Sequence, residues 1–238
     1  MSGLLALVGG DEFRPGNEPQ DRLLAENAGS GKAFVVPTAA ARQRPELAVE
    51  HARRWFARLG LELAELPVFT RSDAASERLA LEAENGGFFY LCGGDPGLVA
   101  STLRETRVWA AILQAWRLGA VLAGSSAGAM ALCQWTLIRK KWPNRTVRTY
   151  RDALAVVPQA AVLPHFNAFG ERWIESALSE APDSSITLIG LDERTAAVWD
   201  GVRWRAIGAG RVIAIKDGRR IEAMGGDPVP LPEPAATG

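Results

Sequence analysis

Two histidines and two cysteines are all that a chain of 238 residues supplies of the commonest metal-binding and redox side chains. His51 and His165 are too far apart to pair on one helix, and Cys92 and Cys133 have no metal-ligand spacing and make no disulfide framework. No metal site and no cofactor are expected, and both cysteines read as small apolar core residues. Charge of either sign is not in excess: 27 Lys and Arg balance 27 Asp and Glu, so the long-range attraction that nucleic acid or an acidic membrane would need is missing. Long apolar runs are missing too, since no stretch approaches the ~20 residues that span a bilayer. The apolar segment Leu4 to Val8 has no basic leader and ends in Gly9-Gly10-Asp11, so it reads as a first strand and the protein as cytoplasmic.

What is present is ample apolar material, 47% of the residues, arranged as short runs that alternate with longer helix-like stretches. That rhythm belongs to βαβ units and a doubly wound, mostly parallel sheet with helices on both faces. Strands are expected at Leu4 to Val8, Ala33 to Val36, Glu62 to Phe69, Gly87 to Leu91, Ala120 to Ala123, Ala160 to Leu163 and Ser185 to Leu191. Helices are expected at Pro45 to Leu59, Ser72 to Glu84, Leu98 to Leu118, from Ala127 onward, and at Glu171 to Glu180. Asp200-Gly201 and Asp217-Gly218 mark C-terminal β-hairpins. Residues 1–224 read as a single α/β domain and the Pro- and Gly-rich residues 225–238 as a loose tail.

One stretch names a chemistry. Gly124-Ser125-Ser126-Ala127-Gly128 directly follows an apolar strand and reads as a nucleophile elbow, with Ser126 at the turn and the free N–H of Ala127 beside it. A hydroxyl is a poor nucleophile until a base takes its proton, and His165, in the turn Pro164-His165-Phe166-Asn167, is the histidine that leaves a strand after the elbow. Cys92-Gly93-Gly94-Asp95 supplies a strand end where Gly93 or Gly94 can offer a second oxyanion donor. Asp95 reads as the cap of the following helix, a substrate ligand, or both. The run Arg139 to Asp152, with six basic residues, reads as a solvated loop or as a basic rim for substrate carboxylates.

Five segments in this order, spread over roughly Leu4 to Gly201, resemble the serine peptidases typified by dipeptidase E and cyanophycinase, which share a class I glutamine amidotransferase-like fold. They are Pro37-Thr38-Ala39, Cys92-Gly93-Gly94-Asp95, Gly124 to Ala129, Pro164-His165-Phe166, and Gly190-Leu191-Asp192-Glu193-Arg194-Thr195-Ala196. The resemblance implies a small peptide substrate, Ser126 as nucleophile, His165 as general base and acid, an oxyanion hole from Ala127 with Gly93 or Gly94, and an arginine such as Arg172 near the pocket for an acidic substrate residue. One feature departs from the family: relatives place an acid some way after the serine, yet no Asp or Glu lies between Ser126 and Asp152. Asn167 is the first substitute for orienting the imidazole, and the carboxylates of Asp152, Asp192 and Glu193 could serve in its place. A missing acid also motivates a second reading, a noncatalytic binding or regulatory protein on the same scaffold. A homodimer supported by exposed strand edges and Trp142 is a further expectation.

Overall fold

A computed structural model describes residues 2–139 and 148–235. The chain opens with β1 (Leu5–Val8), α1 (Glu18–Glu26), β2 (Lys32–Val36), α2 (Pro45–Arg58) and β3 (Leu63–Glu65). Pro45 stands in the first turn of α2, where its missing N–H costs nothing. Then follow α3 (Arg71–Ala74), α4 (Glu77–Glu84), β4 (Gly86–Leu91), α5 (Pro96–Leu103) and α6 (Arg107–Arg117). The two long helices expected here are each broken by a hydroxyl side chain that caps a new one: Ser76 accepts from the N–H of Leu79 and Thr106 from that of Trp109. Next come β5 (Val121–Ser125), α7 (Ala127–Leu132), β6 (Trp135–Arg139), β7 (Arg148–Asp152) and β8 (Ala160–Leu163). The C-terminal part holds α8 (Ile174–Ser179), β9 (Thr187–Leu191), β10 (Thr195–Trp199), β11 (Trp204–Gly208), β12 (Val212–Lys216) and β13 (Arg219–Ala223).

The main sheet runs β11-β10-β1-β5-β4-β2-β3, with five parallel strands from β1 to β3 and the hairpin β10–β11 added antiparallel beside β1. Side chains alternate across it. Leu5, Leu7, Phe34, Phe89 and Leu122 pack against α4 to α7, whereas Ala6, Val8, Val35, Phe88 and Tyr90 pack against α1 and α2. Burial on both faces explains why the parallel strands are continuously apolar.

Three features differ from the sequence expectations. β8 does not extend the main sheet but lies in a second one, β13-β12-β9-β8, so the strand that delivers His165 belongs to a separate layer. The basic run is not all loop: β6 and β7 pair antiparallel from Trp135↔Asp152 to Arg139↔Arg148. Trp142, Lys140, Lys141 and Arg145 lie outside the described residues. Finally, residues 225–235 are docked rather than loose. Val229 and Leu231 are buried, Trp204 Nε1 donates to the Pro232 carbonyl at 2.9 Å, and the N–H of Ala235 donates to Val156 O at 2.7 Å. A Pro-rich segment can be held by such edge contacts without joining a ladder.

Asp21 is buried under α2 and accepts from Trp55 Nε1 at 2.8 Å. Burial pushes its carboxyl from 3.8 up to about 7, with Glu12 and Glu18 adding to the rise and the Trp55 bond opposing it. Between those two values the folded state holds a proton that the unfolded state has lost, so stability falls as pH rises through the window, by up to about 1.4 kcal/mol per pH unit. Asp21→Asn removes this slope. Urea midpoints at pH 5 and pH 8 should drop in the parent chain relative to the variant, and parallel changes in both would refute the assignment.

Candidate active site

The carboxyl ends of β1, β5 and β4 lie side by side, the place where parallel sheets gather ligands and catalytic groups. At the end of β5 the chain turns through Ser126, whose φ of 49° and ψ of −106° are costly for a residue with a side chain. The turn is held by Ser126 N–H donating to Val8 O at 2.9 Å and by α7 closing over it. Gly128 allows that closure, since a Cβ there would come within 2.3 Å of the Leu91 carbonyl oxygen.

His165 leaves β8 in a left-handed conformation, φ 49° and ψ 42°, and its carbonyl accepts from the N–H groups of Ala168, Phe169 and Gly170. Its N–H donates to Gly9 O at 2.7 Å, which ties the second sheet to the first. The ring lies against Phe169, with centroids 5.0 Å apart, and over Gly10, where a Cβ would sit 2.3 Å from the ring. So placed, His165 Nε2 is 3.0 Å from Ser126 Oγ.

The far nitrogen is taken by Glu193: His165 Nδ1 lies 2.7 Å from Glu193 Oε1. A carboxylate only accepts, so Nδ1 carries the proton and the Nε2 lone pair is free to receive the serine proton. Asn167, the first substitute expected from the sequence, does not touch the imidazole in this way; its Oδ1 accepts from the backbone N–H of Glu193 at 2.9 Å and so braces the acid. Asp152 and Asp192 are engaged elsewhere, the first with Arg104 and the second with Arg211. The reason is register: β8 and β9 are parallel with Leu163 opposite Gly190, so His165 and Glu193 emerge from the same end of adjacent strands.

Of the two glycines offered as a second N–H donor, one is already engaged. Gly93 N–H is occupied by Glu12 Oε1 at 2.9 Å. Gly94 N–H finds no acceptor among the described residues, and Ala127, first in α7, has no carbonyl a turn earlier in its helix to donate to. Glu12 and Gly10, both in the loop after β1, were not singled out from the sequence. The glycine-rich end of a first strand was their only signal.

Ser126 and His165 open onto a cavity of about 850 Å³ that is also lined by Arg42, Arg139, Arg148 and Arg151. Asp95 is the one acidic residue among its described lining groups, and its Oδ1 accepts from Leu98 N–H as the cap of α5. None of the four arginines pairs with a carboxylate among the described residues. Arg148 lies over the Trp173 ring at 4.1 Å, and burial, followed by Arg139 and Arg172, lowers its pKa. Arg172 itself lies against Phe169 and Trp173 and is not among the described residues that line the cavity. A second depression of about 820 Å³ holds Arg104 and Asp152, which neutralise each other, and no nucleophile–base pair. Cys92 and Cys133 are buried free thiols, both pushed up by burial. No group of three or more metal-ligating side chains occurs among the described residues, and no described helix is long and apolar enough to cross a membrane.

The sequence profile of peptidase family S51 matches residues 4–207. A cyanophycinase from Geminocystis herdmanii is 27% identical over 242 residues, covering 99% of this chain and 88% of that protein. The crystal structure of a peptidase from an acI-B1 actinobacterium superimposes with a TM-score of 0.83 at 31% identity, covering 96% of this chain and 97% of the other. A putative peptidase E from Listeria monocytogenes shares the fold, with a TM-score of 0.59 at 19% identity over 94% of this chain and 99% of its own. The noncatalytic reading is not favoured by these matches. The motif order, the fold and the matched length together make this chain a member of peptidase family S51, and thereby a serine peptidase.

Proposed function

We propose that this peptidase cleaves small peptides carrying an acidic residue, with Ser126 as nucleophile, His165 as base and acid, and Glu193 as the group that orients the imidazole. The observation that carries the reading is the continuous line from Ser126 Oγ to His165 Nε2 at 3.0 Å and from Nδ1 to Glu193 at 2.7 Å, set in the arginine-lined cavity. Ser126 Oγ attacks the amide carbonyl as its proton passes to Nε2, and the Glu193 carboxylate stabilises the resulting imidazolium. The oxyanion receives the N–H groups of Gly94 and Ala127. His165 then protonates the departing amine, and the acyl group left on Ser126 is released by a water that gives its proton to the same nitrogen. The reading places the reaction in the cytoplasm, where the unpaired thiols of Cys92 and Cys133 stay reduced.

The substrate class rests on charge. Four arginines that have no carboxylate partner among the described residues, gathered in one cavity, disfavour a cationic peptide and favour a carboxylate, and Arg148, stacked on Trp173, is the best-held of them. Arg148→Ala should raise KM for an aspartyl dipeptide about tenfold, the equivalent of ~1.4 kcal/mol, with kcat nearly unchanged. An alanyl dipeptide should respond far less. Equal hydrolysis of aspartyl, alanyl and lysyl dipeptides by the parent chain would reject the acidic assignment.

A further inference from the structure

We propose that Glu12 is a positioning residue that sets the spacing of the two oxyanion donors. This rests on the proposed function, in which Gly94 and Ala127 receive the oxyanion. The two oxygens of its carboxylate have separate duties: Oε1 accepts from the backbone N–H of Gly93 at 2.9 Å, and Oε2 accepts from Ser125 Oγ at 2.7 Å. Gly93 immediately precedes one donor, and Ser125 stands two residues before the other. One side chain from the loop after β1 thus clamps together the ends of β4 and β5, beyond the last pair of their ladder, Leu91↔Gly124.

Three considerations give the clamp its role. Hydrogen bonds to a carboxylate are short and about twice as strong as neutral ones, so the clamp is stiff. Ser125 is fully buried and Glu12 is the acceptor its hydroxyl uses, so removing Glu12 strips a buried donor of its partner. A negative charge cannot itself stabilise an oxyanion, so what Glu12 contributes is geometry: it occupies the Gly93 N–H and leaves that of Gly94, a residue that lines the cavity, without an acceptor among the described residues. The same loop fixes the base, with Gly9 O accepting from His165 N–H and Gly10 beneath the ring. The charge also has a cost behind the site, where Cys92 and Asp21 are pushed up chiefly by burial and further by Glu12.

Glu12→Ala should lower kcat for an aspartyl dipeptide by about 10- to 100-fold while KM stays within about twofold, the cost of donors displaced by a fraction of an ångström to an ångström. A peptide aldehyde, whose adduct with Ser126 places an oxygen in the hole, should weaken by the same factor as kcat/KM, whereas inhibition by the acidic product should not change. Glu12→Gln keeps an acceptor for Gly93 but turns the Ser125 bond round, with the amide NH₂ donating to Oγ, and makes both bonds neutral, so it should recover part of the loss. Where Glu12→Ala fails to fold, Ser125→Ala decides, with a smaller fall in kcat and the same parallel loss of aldehyde affinity. Unchanged aldehyde affinity in the folded variants, or loss of activity that only follows the folded fraction, overturns the proposal. Fluorophosphonate labelling of the parent chain separates the two levels: no label on Ser126 removes the catalytic reading, whereas normal labelling with indifferent Glu12 variants removes only the clamp.

Discussion

Ser126→Ala should abolish fluorophosphonate labelling and lower turnover by on the order of 10⁶, because removing the nucleophile of a triad costs about as much as removing the whole triad. The variant is informative because the fold does not depend on the hydroxyl. The turn is held through the backbone of Ser126, by its N–H to Val8 O and its carbonyl to Met130 N–H, and alanine preserves both. Ser125, one residue earlier, is the natural control. It too is a serine at the strand end, but its hydroxyl is buried and donates to Glu12, so Ser125→Ala should still be labelled. Mass spectrometry of the labelled peptide distinguishes them, and label on Ser125, or persisting in Ser126→Ala, would remove Ser126 from its role.

Glu193→Gln should reduce kcat by about 10⁴ with little change in folding. An amide in place of the carboxylate can present its NH₂ to Nδ1, which favours the tautomer with the proton on Nε2 and leaves no lone pair for the serine. Asn167→Ala makes the sharper contrast. Among the described residues Asn167 Oδ1 holds the backbone N–H of Glu193 alone, one hydrogen bond worth about 0.5–1.5 kcal/mol, so its loss should cost roughly tenfold at most. Matched kinetics of the two variants on an aspartyl dipeptide test the assignment: comparable losses would return Asn167 to the orienting role and displace Glu193.

The central fold was legible because both faces of the main sheet are covered. That makes its strands continuous apolar runs, and Pro45 in the first turn of α2 and Pro96 opening α5 mark helix starts. The breaks at Ser76 and Thr106 were harder to read, since a hydroxyl residue inside an amphipathic pattern can either face solvent or cap a new helix, and tertiary packing chooses. β6 and β7 were hidden because β7 is polar and half-exposed, Arg148 to Asp152, with no alternation strong enough to announce a strand. The arginines of this hairpin could be read as a basic rim or as solvated charge. Their convergence with Arg42 on one cavity depends on where the hairpin folds back.

Within the site, the local pieces were in the sequence: a serine after a buried strand, two glycines after another, a histidine at a third strand's end. Each is a short-range consequence of backbone geometry, which neighbouring residues specify. The partner of the imidazole and the clamp on the glycine loop are of another kind. Glu193 is 28 positions from His165, and Glu12 is 81 from Gly93 and 113 from Ser125. Asp192 and Glu193 are adjacent acids of equal merit on paper, and only the turn after β9 sends one to Arg211 and the other to the imidazole. Sequence alone thus determined which residues could react and on what framework. The tertiary structure decided which carboxylates lie beside them, because a side chain's direction at a strand end is set by the register of strands that the chain brings together from far apart.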